Sequence, residues 1–231
     1  MDNPPASRRI DPPSLVELAA EQLRGMILAG ELRPGDRLIE ERLTAELGIS
    51  RPPLREAMRL LQQEGLITMA PRRGMTVMEL AARDVHEILT LRSALERLAV
   101  ELGVPVHEPA RLENCRTALD RMRECADKGD RAELVRCGYL FHRAIIELAD
   151  HKRLITMYES LHRQLVLCMA LNLYEREHYH EDLAVHVARH GELFDLIASG
   201  DRDAVLHALA THGERSFTDH WPPSDTLVHP D

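Results

Sequence analysis

Two groups of side chains in this sequence have the types and spacing for chemistry. In "SRPPLREAMRLLQQEGLI", Ser50 to Ile67, Arg51, Arg55 and Arg59 recur one helical turn apart and Gln62 joins their face. At about 100° per residue the four occupy less than a quarter of a helix circumference, with Leu54, Ala57, Leu60 and Leu61 opposite. Between Arg51 and Arg73 the sequence holds five arginines and two glutamates. A guanidinium fork suits guanine O6 and N7 in a DNA major groove, and equally a phosphate. A solvated, ion-paired face is the other use of such a run, and for Arg59 that use is a pair with Glu56 three residues earlier.

The second group is histidine. On helical wheels His142 flanks the arc of Leu134, Phe141 and Ile145. His190 lies among Leu183, Val187, Phe194 and Ile197, and His212 among Val205, Ala208 and Leu209. Three imidazoles aimed at one interior can hold a divalent cation such as Zn²⁺ or Ni²⁺, or can line a polar pocket. Arg92, in "LTLRSALE", also falls inside an apolar arc with Val85, Ile88 and Ala99. A buried guanidinium needs an anion, which is either Glu96 one turn on or the carboxylate of a bound organic acid.

The elements that must position these residues are legible from caps and periodicity. "PPSLVELAAEQLRGMILAGELRPGDRL" predicts a helix after a Pro-rich start, then a turn at "RPGD". "IEERLTAELGI" predicts a short helix closed by Gly48. Ser50 is a natural N-cap, Pro52 and Pro53 suit a first turn, and Gly65 ends the arginine helix. "LITM" and "MTVM" then flank the turn "APRRG" as two short strands. Three helices and a two-stranded wing make a winged helix-turn-helix.

From Ala82 onward the pattern is all helical. A long amphipathic helix is followed by about five more, with breaks near "VPVHEP", "DKGD", "ADHK", "REHYHED" and "SGD". The predicted fold is mostly α: an N-terminal arm (1–13), a winged-helix domain (14–80), an antiparallel helical bundle (81–220) and a frayed tail (221–231).

Whole-chain charge does not oppose a nucleic-acid partner. The net charge is -9 over 231 residues, but residues 1–80 hold 11 arginines against 12 carboxylates, whereas 81–231 hold 18 basic against 26 acidic groups. The acidity belongs to the bundle. No apolar run reaches membrane-spanning length and the N-terminus lacks a signal-peptide core, so a cytoplasmic protein without a membrane partner is expected. Cys115, Cys125, Cys137 and Cys168 show no CxxC spacing and read as reduced thiols. HExxH is absent, Glu-x-x-His falls in the overlapping "EREHYH" at a helix boundary, and no Ser-His-Asp or Cys-His signature is legible. An enzyme is not expected.

"ERLTAELGISRPPLREAMRLLQQEGLI" followed by "RRGMTV" resembles the DNA-binding domain of GntR-family bacterial transcription regulators. The helical remainder resembles their FadR-like (FCD) effector domain, and the likeness spans roughly residues 14–218. It implies a homodimeric regulator, most often a repressor, on a near-palindromic double-stranded operator. Ser50, Arg51, Pro53 and Arg55 would meet the operator through the recognition helix, with Arg73 and Gly74 at the wing tip. It implies a small organic-acid effector held by Arg92. It also implies a divalent metal on one aspartate and three histidines in the pattern Asp-x-x-x-His, then two later histidines. His142, His190 and His212 match the histidines, and Gly138 stands at the aspartate's position. His186, one turn before His190, is the first candidate substitute, with Glu177, His178 and His180 behind it. A metal-dependent enzyme and a purely architectural DNA binder are the rival classes. Turnover of a small acid separates the first, and effector-dependent operator release the second.

Overall fold

The computed structural model describes residues 13–179 and 182–212. Ser14 starts the first helix, α1 (Leu15–Leu28), through a reciprocal capping box with Glu17. A short helix, α2 (Glu40–Leu47), ends at Gly48, whose φ of 64° only glycine adopts without strain. The arginine-bearing helix, α3 (Arg51–Gln63), follows after three residues, Gly48 to Ser50. The wing is β1 (Ile67–Ala70) paired antiparallel with β2 (Gly74–Val77), in the register Ile67↔Val77 to Ala70↔Gly74. An isolated bridge joins Arg37 to Thr76 and ties the loop after α1 to the wing.

The underside of α3 is what seats it. Leu54, Ala57, Met58 and Leu61 are buried against Leu23 of α1, Leu43 of α2 and Ile67 and Val77 of the wing. Met58 takes a core place that the arc drawn from sequence gave to Leu60, and Leu60 is only half-buried. Four buried side chains on one face leave the arginines no choice but the other.

The bundle comprises α4 (Ala82–Gly103), α5 (Pro109–Lys128), α6 (Arg131–Glu147), α7 (Lys152–Ser160), α8 (His162–Tyr179), α9 (Leu183–Ser199) and α10 (Arg202–His212). That is one helix more than the breakers in the sequence indicate. The segment after "ADHK" divides at Leu161, which caps α7 and whose carbonyl accepts from Leu165 to start α8. No glycine or proline stands there, so nothing in the sequence marks the break. Phe141, Leu119, Met122, Ile145 and Tyr158 form the centre of the core. Gly103 permits the close approach of α4 to the end of α6: a Cβ there would lie 2.5 Å from the Leu148 carbonyl carbon.

Two residues cross between the cores. Leu28 of α1 is buried in the bundle, and Leu167 of α8 in the winged-helix core. Among the described residues no helix is long and apolar enough to cross a membrane. The arm before Pro13, the tail and His180 lie outside the described residues, as do the side chains of Glu177 and His178.

Candidate functional site

Arg51, Arg55, Arg59 and Gln62 are all exposed along one face of α3, yet their electrostatic situations differ. Arg55 Nε donates to Glu40 Oε1 at 2.8 Å, across to the first turn of α2. Arg59 is bound doubly by Glu56, with Nε and Nη2 at 3.0 and 2.6 Å from Oε1. Among the described residues Arg51 makes no ion pair. Glu40 is the partner that sequence reasoning missed. It lies 15 residues from Arg55, and only the turn between α2 and α3 brings the two together.

Ser50 sits at the N-cap with extended backbone, but its side chain makes no capping hydrogen bond. The cause is local chemistry. A cap hydroxyl accepts from the second or third helical N–H, and here those positions are Pro52 and Pro53, which have none. Two of the amides a helix start ordinarily presents are therefore absent, and the Ser50 hydroxyl is not committed to capping. At the wing tip Arg73 N donates to Ala70 O at 3.2 Å, closing the turn. Arg72 and Gly74 have φ of 64° and 81°. A Cβ at Gly74 would meet nothing nearer than Arg37 Nε at 3.9 Å, so backbone conformation, not crowding, calls for glycine there.

In the bundle, His142 of α6, His190 of α9 and His212 at the end of α10 converge. One ligand atom from each lies within 4.8 Å of the others. Burial lowers the pKa of all three. For His142 the next cause is Arg92, with Glu96 opposing; for His190 it is the neighbouring imidazoles, and for His212 it is His142 and then Arg92. Neutral imidazoles with available lone pairs are what a borderline dication requires. His190 Nδ1 lies 2.9 Å from the His186 carbonyl. A carbonyl can only accept, so Nδ1 carries the proton and Nε2 is left as the donor atom for a metal.

Glu96 organises the other side of the cluster. Its Oε1 receives Arg92 Nε at 2.7 Å and the Tyr158 hydroxyl at 3.4 Å, and stands 3.2 Å from His142 Nδ1. Burial alone would raise the Glu96 carboxyl, but Arg92 and then His142 outweigh it and hold its pKa at about 2. Of the two anions considered for Arg92, the internal one is therefore present. Arg92 also reaches the small cavity, about 40 Å³, that the histidines line. Gly138 forms part of the same wall, where a Cβ would touch only Met122 Cε at 3.8 Å. His186 lines the cavity too, with its ring 4.7 Å from that of His190, but the cluster of mutually close ligand atoms is His142, His190 and His212.

The arginine-faced helix and the histidine-lined bundle each match a described family. Residues 15–77 match the family "Bacterial regulatory proteins, gntR family", and residues 87–215 match the FCD domain. The chain belongs to the GntR family. It is 30% identical over 192 residues to the uncharacterized HTH-type transcriptional regulator YdhC of Bacillus subtilis, covering 83% of this chain and 84% of that one. It is likewise 30% identical over 200 residues to the probable D-xylose utilization operon transcriptional repressor of Paenarthrobacter nicotinovorans, covering 84% of each. Among solved structures it resembles E. coli McbR/YncC, with a TM-score of 0.62, 27% identity and coverage of 90% of this chain and 97% of that one. As a GntR-family member with an FCD domain it is a DNA-binding transcription regulator and not an enzyme.

Proposed function

We propose that this GntR-family regulator is a cytoplasmic, homodimeric repressor whose operator affinity is set by a small organic acid bound in the bundle. Arg51 and Arg55 read a near-palindromic double-stranded operator, with Ser50 and Pro53 fitting the helix start to a phosphate. Arg73 and Gly74 bring the wing tip to the adjacent minor groove. Repression accords with the name of the relative from Paenarthrobacter nicotinovorans.

One observation carries the effector reading: two buried histidines, a half-buried third and a buried arginine line a single cavity. His142, His190 and His212 would hold a Zn²⁺ or Ni²⁺ ion, and the ion would supply positive charge for a carboxylate. Glu96 occupies Arg92 Nε and leaves the rest of the fork for that carboxylate. Space for about 40 Å³ favours a compact acid, since a single water needs roughly 10–15 Å³.

The homodimer is supported by α4. Leu91, Leu95, Leu98 and Leu102 follow the four-three-four spacing of a helix-pairing seam, and Leu91, Leu98 and Leu102 are 40, 40 and 55% exposed. Leucines at that spacing gain most by meeting their own copies across a two-fold axis.

The test joins elemental analysis to mobility shift on DNA flanking the protein's own gene. Purified protein should contain Zn or Ni that His190→Ala and His212→Ala lose, and a compact carboxylate should shift operator affinity. Wild type free of metal and unresponsive to acids would leave a DNA-binding regulator whose histidines are only a polar lining.

A further inference from the structure

A second cavity lies where the winged helix meets the bundle, and at about 250 Å³ it is several times larger than the histidine cavity. For scale, an apolar protein cavity of about 150 Å³ holds benzene. Its floor is Leu28 of α1, Leu66 just before β1 and Val166 of α8, which are 2, 4 and 7% exposed. Its rim is Arg24, Glu64, His162 and Arg163.

Charges on that rim do not cancel. Arg24 is fully engaged: Nε and Nη2 meet the Glu64 carboxylate at 2.9 and 2.6 Å, and Nη1 meets Glu21. Arg163 donates to the Gln63 carbonyl at the C-terminal end of α3, and among the described residues no carboxylate pairs with it. His162 stands edge-on to Tyr139, and burial followed by Arg163 keeps its pKa below the ordinary value. One uncompensated guanidinium thus faces an apolar floor with room for a ring.

We propose that this cleft binds an amphiphilic monocarboxylate, with its carboxylate on Arg163 and an aromatic or similarly sized apolar body on Leu28, Leu66 and Val166. A dianion would bring a second charge beside Glu64 with no cation left to meet it. A neutral hydrocarbon would fill the floor and leave Arg163 unused. The occupant would touch α1, the end of α3 and α8 together, so its binding is linked reciprocally to any shift between α3 and the bundle. The site shares no lining residue with the histidine cavity and stands independently of the metal reading.

Benzoate is the probe, titrated calorimetrically into the full chain, with acetate as charge without body and benzyl alcohol as body without charge. Benzoate should saturate, and each control should bind at least roughly tenfold more weakly. Arg163→Gln, a solvent-exposed change that leaves the core intact, should weaken benzoate roughly tenfold, and Val166→Phe should fill the floor and abolish binding. His190→Ala should bind benzoate as wild type does. No saturation below about 10 mM, binding untouched by Arg163→Gln, or binding lost in His190→Ala would each overturn the proposal.

Discussion

In the proposed operator contact the Arg55 guanidinium would enter with one edge already taken. Glu40 accepts from Nε and leaves the η edge, the one that would meet guanine. Arg51→Ala and Arg55→Ala should each cost about 1–3 kcal/mol of operator affinity per base-reading contact, twice over in a dimer. Arg59→Ala should cost far less, because Glu56 already claims that fork. Mobility-shift titration at fixed salt decides, and equal losses for all three would refute the assignment. Arg92 pairs with Glu96 and is proposed to meet the effector, so its variant should show two defects. Arg92→Met strands the buried Glu96 carboxylate, a loss of about 3–5 kcal/mol in stability, and removes the effector response. The double variant with Glu96→Gln should regain part of the melting temperature and none of the response. Wheels drawn from the sequence placed Arg92, His142, His190 and His212 inward because burial follows periodicity. They could not show that Glu96 joins Arg92 to His142, since that contact spans 46 residues between α4 and α6.

Helix by helix, the bundle's ends and faces explain what was legible. Glycine and aspartate mark the α9–α10 junction, with Gly200 at a φ of 77° and Asp201 accepting from Ala204 N at 3.0 Å. Both follow from side-chain chemistry and were readable. The α7–α8 break at Leu161 carries no glycine, proline or capping side chain and was not. On α6, Gly138 is a weak point by helix propensity, costing roughly 1 kcal/mol relative to alanine. Its Cβ position is open, so Gly138→Asp should fold and place a carboxylate one turn before His142. Metal content by elemental analysis should rise above wild type. If both stay metal-free, the histidines hold no cation. Acid should act on the same helices. His142, His190 and His212 lie below the ordinary 6.5 in the fold, so below that pH the unfolded chain binds protons that the native state does not. Stability should then fall with pH by at most roughly 4 kcal/mol per unit for three such groups. Glu96, depressed from 4.5 to about 2, contributes stability above 4.5 that is lost as pH falls between those values. Melting temperature against pH should flatten below pH 6.5 in His190→Asn, and an unchanged slope would remove that histidine from the account.

For the whole molecule, charge and the proposed symmetry belong to separate parts. The net charge of -9 sits mainly beyond residue 80, away from α3 and the wing. Operator binding should therefore weaken steeply with salt, as local phosphate contacts dictate, despite the acidic total. The proposed two-fold symmetry would rest on α4, where Leu91, Leu98 and Leu102 face solvent in a single chain. Leu98→Arg puts a charge at the centre of that seam, where its own copy would stand opposite across the axis, so two like charges would be buried together. The isolated fold should tolerate the change, because Leu98 is 40% exposed and contributes little to the bundle core. Light scattering should then report a monomer of 26.2 kDa with an unchanged helical spectrum. The second half-site contact in a dimer is intramolecular, and losing it removes roughly 10²–10⁴-fold in avidity. Binding to a single half-site should change little. If Leu98→Arg remains dimeric and binds the full operator as wild type does, the seam is not the dimer interface and the two-fold axis lies on another face.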